Sequence, residues 1–240
     1  MNKRGARRRD RNCGGCVTAA AAQPPPDDSQ AFTTRRRDPA GKREAVLRAA
    51  AQLVLEKGYR RASMNDLAER LKVTKPALYH YFRNKEEILF ECFRQGTGLI
   101  ENGTNDVAAR SETGLRKVQA FIYSYASVMT VGLARCVMRL NEADLSPGAQ
   151  AQIRGYVKML DRRLRGLIQE GIEDGSVVEC DPKIAAFAIV GALNWISRWY
   201  RPEGPLPAEE IARQFARTLT RGLAARKRGG ARLVKRQEAK

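Results

Sequence analysis

From Arg43 onward, apolar residues recur at intervals of three and four, with almost no apolar–polar alternation, so the pattern predicts helices rather than strands. Leu47, Ala50, Ala51, Val54 and Leu55 mark a first helix closed by Gly58, the residue type favoured just past a helix end. Ser63-Met64-Asn65-Asp66 reads as a capping box that opens a short helix with Leu67, Ala68 and Leu71 on one face. Lys72-Val73 makes a tight turn. Thr74 is a good N-cap and Pro76 falls where no intrahelical N–H is required, so a brief helix is expected from Lys75 to about Tyr81. Asn84-Lys85-Glu86-Glu87 forms another box, opening a longer helix through Ile88, Leu89, Cys92 and Phe93.

The later segments are longer. Leu115 to about Asn141 carries Val118, Ile122, Tyr125 and Met129, with a break near Val131-Gly132. Ser146-Pro147 starts a helix striped by Ile153, Val157, Leu160, Leu164, Leu167 and Gly171 and ended by Gly175. Asp181-Pro182 starts the next, to about Tyr200. A Pro-rich loop follows over 201–207, and a last helix carries Ile211, Phe215, Leu219 and Leu223. The expected fold is all-α, with about nine helices and no internal repeat.

Charge divides this helical chain. Of 240 residues, 44 are Lys or Arg and 26 are Asp or Glu, a formal net charge of +18. Residues 95–220 hold fifteen basic against fourteen acidic residues, whereas residues 1–42 hold ten against four, 43–94 eleven against seven and 221–240 eight against one. The positive end points to a polyanionic partner, and the near-neutral body to another task. Residues 1–41 and 226–240 lack apolar periodicity and read as disordered basic tails, either solvated or touching DNA as arms. A start codon downstream of the first segment is a third reading of residues 1–41.

The remaining composition narrows the chemistry. No apolar run approaches the ~20 residues that span a bilayer, so no membrane partner is expected, and Val17–Ala22 is too short for a secretory core. Five Cys is an odd, sparse count, which argues against a disulfide framework and for a reducing cytosol; with a polyanionic partner, a cytoplasmic, nucleoid-associated protein is expected. Cys13-Gly14-Gly15-Cys16 has half-zinc-site spacing but no second pair, so no metal is expected. His80 is the single histidine, and there is neither a Gly-rich phosphate loop nor a nucleophile elbow; an enzyme and a cofactor are not expected.

Residues 63–82 meet the needs of a helix-turn-helix. Ala68 is small where two helices cross, Val73 can plug the elbow, and Leu67, Leu71 and Leu78 can share a core. The second helix then offers Lys75, Ala77, Tyr79 and His80 outward, with Tyr81 and Phe82 read as packing. The run Ser63-Met64-Asn65-Asp66-Leu67-Ala68, then Val73-Thr74-Lys75-Pro76-Ala77-Leu78-Tyr79-His80-Tyr81-Phe82 and Asn84-Lys85-Glu86-Glu87-Ile88-Leu89, resembles the DNA-binding domain of the tetracycline-repressor (TetR) family. The similarity runs from about Arg43 to Phe93. It implies a homodimeric regulator of double-stranded, palindromic operator DNA. Residues 42–94 would form the DNA-binding domain and 95–225 the domain for effector and dimerisation. The resemblance places DNA contacts on Ser63, Asn65, Lys75, Pro76, Ala77, Tyr79, His80 and Lys85. In physical terms, Lys75 can donate to guanine or phosphate, Ala77 suits a thymine methyl, and Tyr79 and Lys85 fit phosphate.

The body is less constrained. Residues 192–206 and the following Glu209-Glu210-Ile211 resemble a branch of that family that answers to acyl-CoA thioesters of lipid or sterol breakdown. Phe121, Tyr125, Met129, Met138 and Trp195 could line an apolar cavity, and Arg135 and Arg139, four apart, could meet a carboxylate or a CoA phosphate. The alternative for the arginines is a solvated helix face. Ala188 and Ala192, with Ile211, Phe215 and Leu219, suit a four-helix bundle between two copies. A repressor released by its effector is the expected function. An activator, or an architectural DNA binder acting through the tails, stands as the alternative.

Overall fold

The computed structural model describes residues 28–33, 38–110, 113–138 and 140–224. Among them are ten α-helices: α1 (Gln30–Thr33), α2 (Pro39–Lys57), α3 (Met64–Leu71), α4 (Lys75–Tyr79), α5 (Lys85–Ala108), α6 (Gly114–Thr130), α7 (Gly132–Val137), α8 (Pro147–Glu173), α9 (Pro182–Trp199) and α10 (Ala208–Arg221). The all-α expectation holds. The cysteines Cys13 and Cys16, residues 1–27 and 34–37 of the first basic arm, the 226–240 tail and Arg139 lie outside the described residues.

Side-chain caps set the helix starts. Asp38 Oδ1 accepts from Gly41 N at 2.9 Å, which begins α2 at Pro39 rather than at Arg43. The Ser63 box forms in both directions, with Asp66 N donating to Ser63 Oγ at 3.1 Å and Ser63 N donating to Asp66 Oδ2 at 3.0 Å. Asn84 Oδ1 accepts from Glu87 N at 2.8 Å and starts α5. Val131, extended at φ −79° and ψ 140°, breaks α6 from α7 where the sequence predicted a break, but α7 then stops at Val137.

Two apolar cores result. One gathers α2, α3, α4 and the start of α5 around Leu47, Leu71, Leu78 and Phe82. The other gathers α6, α8, α9 and α10 around Phe121, Ile122, Leu164 and Leu193. Helix α5 serves both, with Ile88 and Leu89 in the first and Ile100 in the second, so the boundary expected at residue 94 falls inside a continuous helix. The start of α8 is tied to the first unit by Glu86, which accepts from Ser146 N and Ser146 Oγ, both at 2.9 Å. At the other end of α8, Gly171 crosses Gly114 of α6 so closely that a Cβ on Gly114 would strike the Gly171 backbone.

Residues 28–33 differ from the disorder expected across 1–41. Asp28 is buried and accepts from Arg48 Nε at 3.0 Å, while Phe32 meets the Tyr81 ring edge-on at 5.9 Å. The signal was present in sequence as one aromatic and one acid in a polar stretch, too little for a periodicity argument.

Candidate nucleic-acid interface and interior cavity

Helices α3 and α4 form the expected helix-turn-helix. Lys72 makes the turn in the left-handed region at φ 54°, and Val73 N donates to Ala68 O at 3.0 Å, closing the elbow. Leu78 and Phe82, both essentially buried, anchor α4 from beneath. Its outer face then presents Lys75, Pro76, Ala77, Tyr79 and His80, all exposed, with Asn65 exposed on α3. Tyr81 packs against Phe32, as a core residue would.

Two of the residues assigned to DNA are differently engaged. Ser63 is exposed, but its hydroxyl accepts from Asp66 N and donates to the Asp66 carboxylate, so its geometry is that of a cap. Hydrogen bonds from Lys57 and Ser63 hold the Asp66 carboxyl down at about 2. Lys85 bends inward: its ammonium donates to Tyr59 O at 3.1 Å and lies 4.4 Å from the centre of the Tyr59 ring. An aromatic face and a carbonyl attract the ammonium locally, which spacing alone does not reveal. Arg61, Lys72 and Arg83 are further exposed cations flanking the motif, and their only signal in the sequence is their charge.

Behind this unit lies an apolar cavity of about 450 Å3, walled by α5, α6, α7, α8 and α9. Tyr125, Met129 and Met138 line it as expected. Phe121 does not; it is fully buried behind the wall, 5.9 Å from the Tyr125 ring. Trp195 is 64 % exposed and lies outside the cavity. Arg135 is also absent from the wall, its guanidinium 5.8 Å from the Tyr200 ring centre. The i, i+4 spacing of Arg135 and Arg139 assumed a helix that ends at Val137.

The cavity takes its charge from α8 instead, through Lys158, Asp161 and Arg165. Arg165 Nε donates to Asp161 Oδ1 at 2.9 Å, with a second bond at 2.5 Å, and its guanidinium lies 5.4 Å from the Phe187 ring of α9. These positions follow Val157 and Leu160 at helical spacing, so the sequence held the face without marking it as a cavity rim. Deeper in the wall, the Tyr125 hydroxyl donates to Asn194 Oδ1 at 2.9 Å, and burial pushes the Tyr125 pKa up to about 12.

The outer face of α9 carries Ile184, Trp195 and Trp199, with Phe187 at the cavity rim, all exposed, and exposed Ala188 and Gly191 between them. Ala192 is half-buried. On α10 the expected apolar stripe turns mostly inward. Ile211 is 3 % exposed and belongs to its own chain's core, which removes it from an interface between copies. Phe215 and Leu219 are half-buried, Phe215 stacking on Trp199 at 6.5 Å between ring centres. Among the described residues no His, Cys, Asp and Glu group is arranged to hold a metal, and no helix is long and apolar enough to cross a membrane.

A family model for bacterial regulatory proteins of the tetR family matches residues 46–92, and one for a tetracyclin repressor-like C-terminal domain matches residues 111–223. Among solved structures, the TetR family transcriptional regulator PfmR from Thermus thermophilus is 32 % identical at a TM-score of 0.66, covering 74 % of this chain and 98 % of PfmR. AibR, solved with isovaleryl coenzyme A and operator DNA, is 26 % identical at a TM-score of 0.63, over 74 % of this chain and 97 % of AibR. The HTH-type transcriptional repressor KstR2 of Mycolicibacterium smegmatis is 25 % identical over 191 residues, 77 % of this chain and 92 % of KstR2.

Proposed function

Since the chain belongs to the TetR family and is a DNA-binding transcriptional regulator, we propose that it is a homodimeric repressor released from a palindromic operator by a coenzyme A thioester of lipid or sterol breakdown. One observation carries the reading: the apolar cavity, rimmed by Lys158 and Arg165, is walled in part by α5, the helix that also belongs to the DNA-binding core. An apolar interior suits an acyl group, and the rim cations suit a phosphate-bearing head. AibR and the repressor KstR2 lend support as relatives of similar length.

The DNA-facing set is Asn65, Lys75, Pro76, Ala77, Tyr79 and His80, with Lys75 and the Tyr79 hydroxyl directed to phosphate or base edges and Ala77 to a thymine methyl. Ser63 acts through the shape of the motif, and Lys85 joins the DNA only by leaving Tyr59. The exposed α9 stripe, with Ala188, Ala192, Phe215 and Leu219, meets its equivalent in a second copy about a two-fold axis. Two recognition helices would then sit one turn of DNA apart, about 34–36 Å. An effector that fits the cavity better at another separation shifts the pair away from that spacing, and differential affinity alone drives the change.

The test is selection of genomic fragments by the purified protein, repeated with a panel of acyl-CoA thioesters. One palindrome released by one thioester supports the whole proposal. A palindrome that no thioester releases removes the acyl-CoA assignment and keeps the regulator. Enrichment of no sequence would replace the operator reading with binding through the basic tails.

A further inference from the structure

Polar groups inside an apolar cavity decide what enters it, because each must find a partner or lose one. On the rim, Arg165 and Asp161 bond each other. Thr97 turns its hydroxyl onto its own helix, donating to Phe93 O at 2.9 Å and Arg94 O at 3.1 Å. Tyr156 lies ring-to-ring on Phe93 at 6.2 Å. Asn194 is different. It lies on the same face of α9 as Phe187 and Val190, seven and four residues earlier, and all three line the cavity. At 1.5 Å per residue, Asn194 sits about 10 Å farther along α9 than Phe187.

Its carboxamide is held at one end only. The Tyr125 hydroxyl donates to Oδ1, and Nδ2 has no partner among the described residues. Tyr125 is itself buried and stays protonated, so it remains a fixed donor across the physiological range. Turning the amide would make the Tyr125 hydroxyl the acceptor and leave its buried proton without one, so the recorded orientation is favoured. Asn194 lines the cavity, so its two N–H hydrogens are left to meet an occupant where the surrounding wall is mostly apolar.

We infer that Asn194, oriented by Tyr125, selects effectors that carry a hydrogen-bond-accepting oxygen within their apolar body, such as a keto- or hydroxy-substituted acyl group, over plain hydrocarbon of the same size. This rests on the effector-cavity reading above but not on coenzyme A as the head group. A hydrocarbon leaves the Nδ2 group dry and unpaired; a carbonyl oxygen completes it.

The neutral pair cyclooctanone and cyclooctane tests the inference on the full-length protein, by protein-observed NMR titration. The quantity read is the ratio of the two affinities in the natural protein divided by the same ratio in Asn194→Leu. A value of about ten or more in favour of the ketone is expected, since an unmade buried hydrogen bond is typically worth that factor. Tyr125→Phe, which frees the amide to turn, should give a smaller change of the same sign. Should Asn194→Leu fail to fold, Asn194→Ala supplies the same comparison. An unchanged ratio overturns the inference, as does failure of both probes to bind. Decanoyl-CoA, titrated into the same proteins, reads the head-group assignment separately. Binding of decanoyl-CoA with no change in the ketone ratio keeps the thioester and discards Asn194, and the reverse pattern does the opposite.

Discussion

Ser63 shows how one side chain can be assigned to DNA and yet act on the protein. Its hydroxyl both accepts from Asp66 N and donates to the Asp66 carboxylate, so Ser63→Ala should lower stability by about 1 kcal/mol, read by urea denaturation. Operator affinity would fall only as far as α3 frays. Asp66 adds a pH signature. Its pKa, lowered from 3.8 to about 2 by Lys57 and Ser63, favours the folded state at every pH above the higher value. That contribution fades as pH falls between the two. Circular dichroism over this acid range should show a loss in the natural protein that is absent in Asp66→Asn. The cap itself was legible, because Ser-x-x-Asp before an apolar run has one strong physical reading. Lys85 was not, because its inward bend depends on Tyr59, 26 residues away, and no spacing rule joins them.

At the scale of elements, periodicity recovered most helices and the break between α6 and α7, since both follow from local backbone preference. It could not tell which side of an amphipathic helix faces its own chain and which a second copy. Ile211 and Trp195 make the point. Pattern alone assigns the first to an interface, yet it lies in the core; it assigns the second to a cavity, yet it stands 64 % exposed. Trp195→Glu should therefore leave the monomer's helix content unchanged and dissociate the proposed dimer, since the charge would be buried only between copies. Light scattering that still gives a dimer would refute the α9 interface. The crossing of α6 and α8 gives a contrasting expectation. Gly114→Ala puts a methyl group onto the Gly171 backbone, which has no rotamer to relax, and should cost at least about 2 kcal/mol of stability by chemical denaturation. The sequence showed both glycines but not that they meet.

For the whole molecule, the division of charge was the most readable property, and it sets an expectation for binding in salt. Residues 226–240 carry seven basic residues against one acidic. Deleting them should flatten the dependence of operator affinity on salt, because each phosphate contact contributes roughly −0.9 to the logarithmic slope. The preferred sequence should stay the same if the helix-turn-helix reads it. Fluorescence anisotropy at several salt concentrations measures both.

Cys92 lines the large cavity on one side and, on the other, a small void of about 30 Å3 beneath α2 and α3. Burial raises its thiol pKa above the usual range, so it stays protonated and behaves as a small apolar group. One side chain, Cys92, is thus shared by the cavity proposed for the effector and by the void beneath the DNA-binding unit. On that proposal, news of occupancy needs no wire of residues; it has only to press on the side chain that the two spaces share. The room left around Cys92, more than the length of α5, would then decide how large an occupant must be before the DNA-binding face feels it.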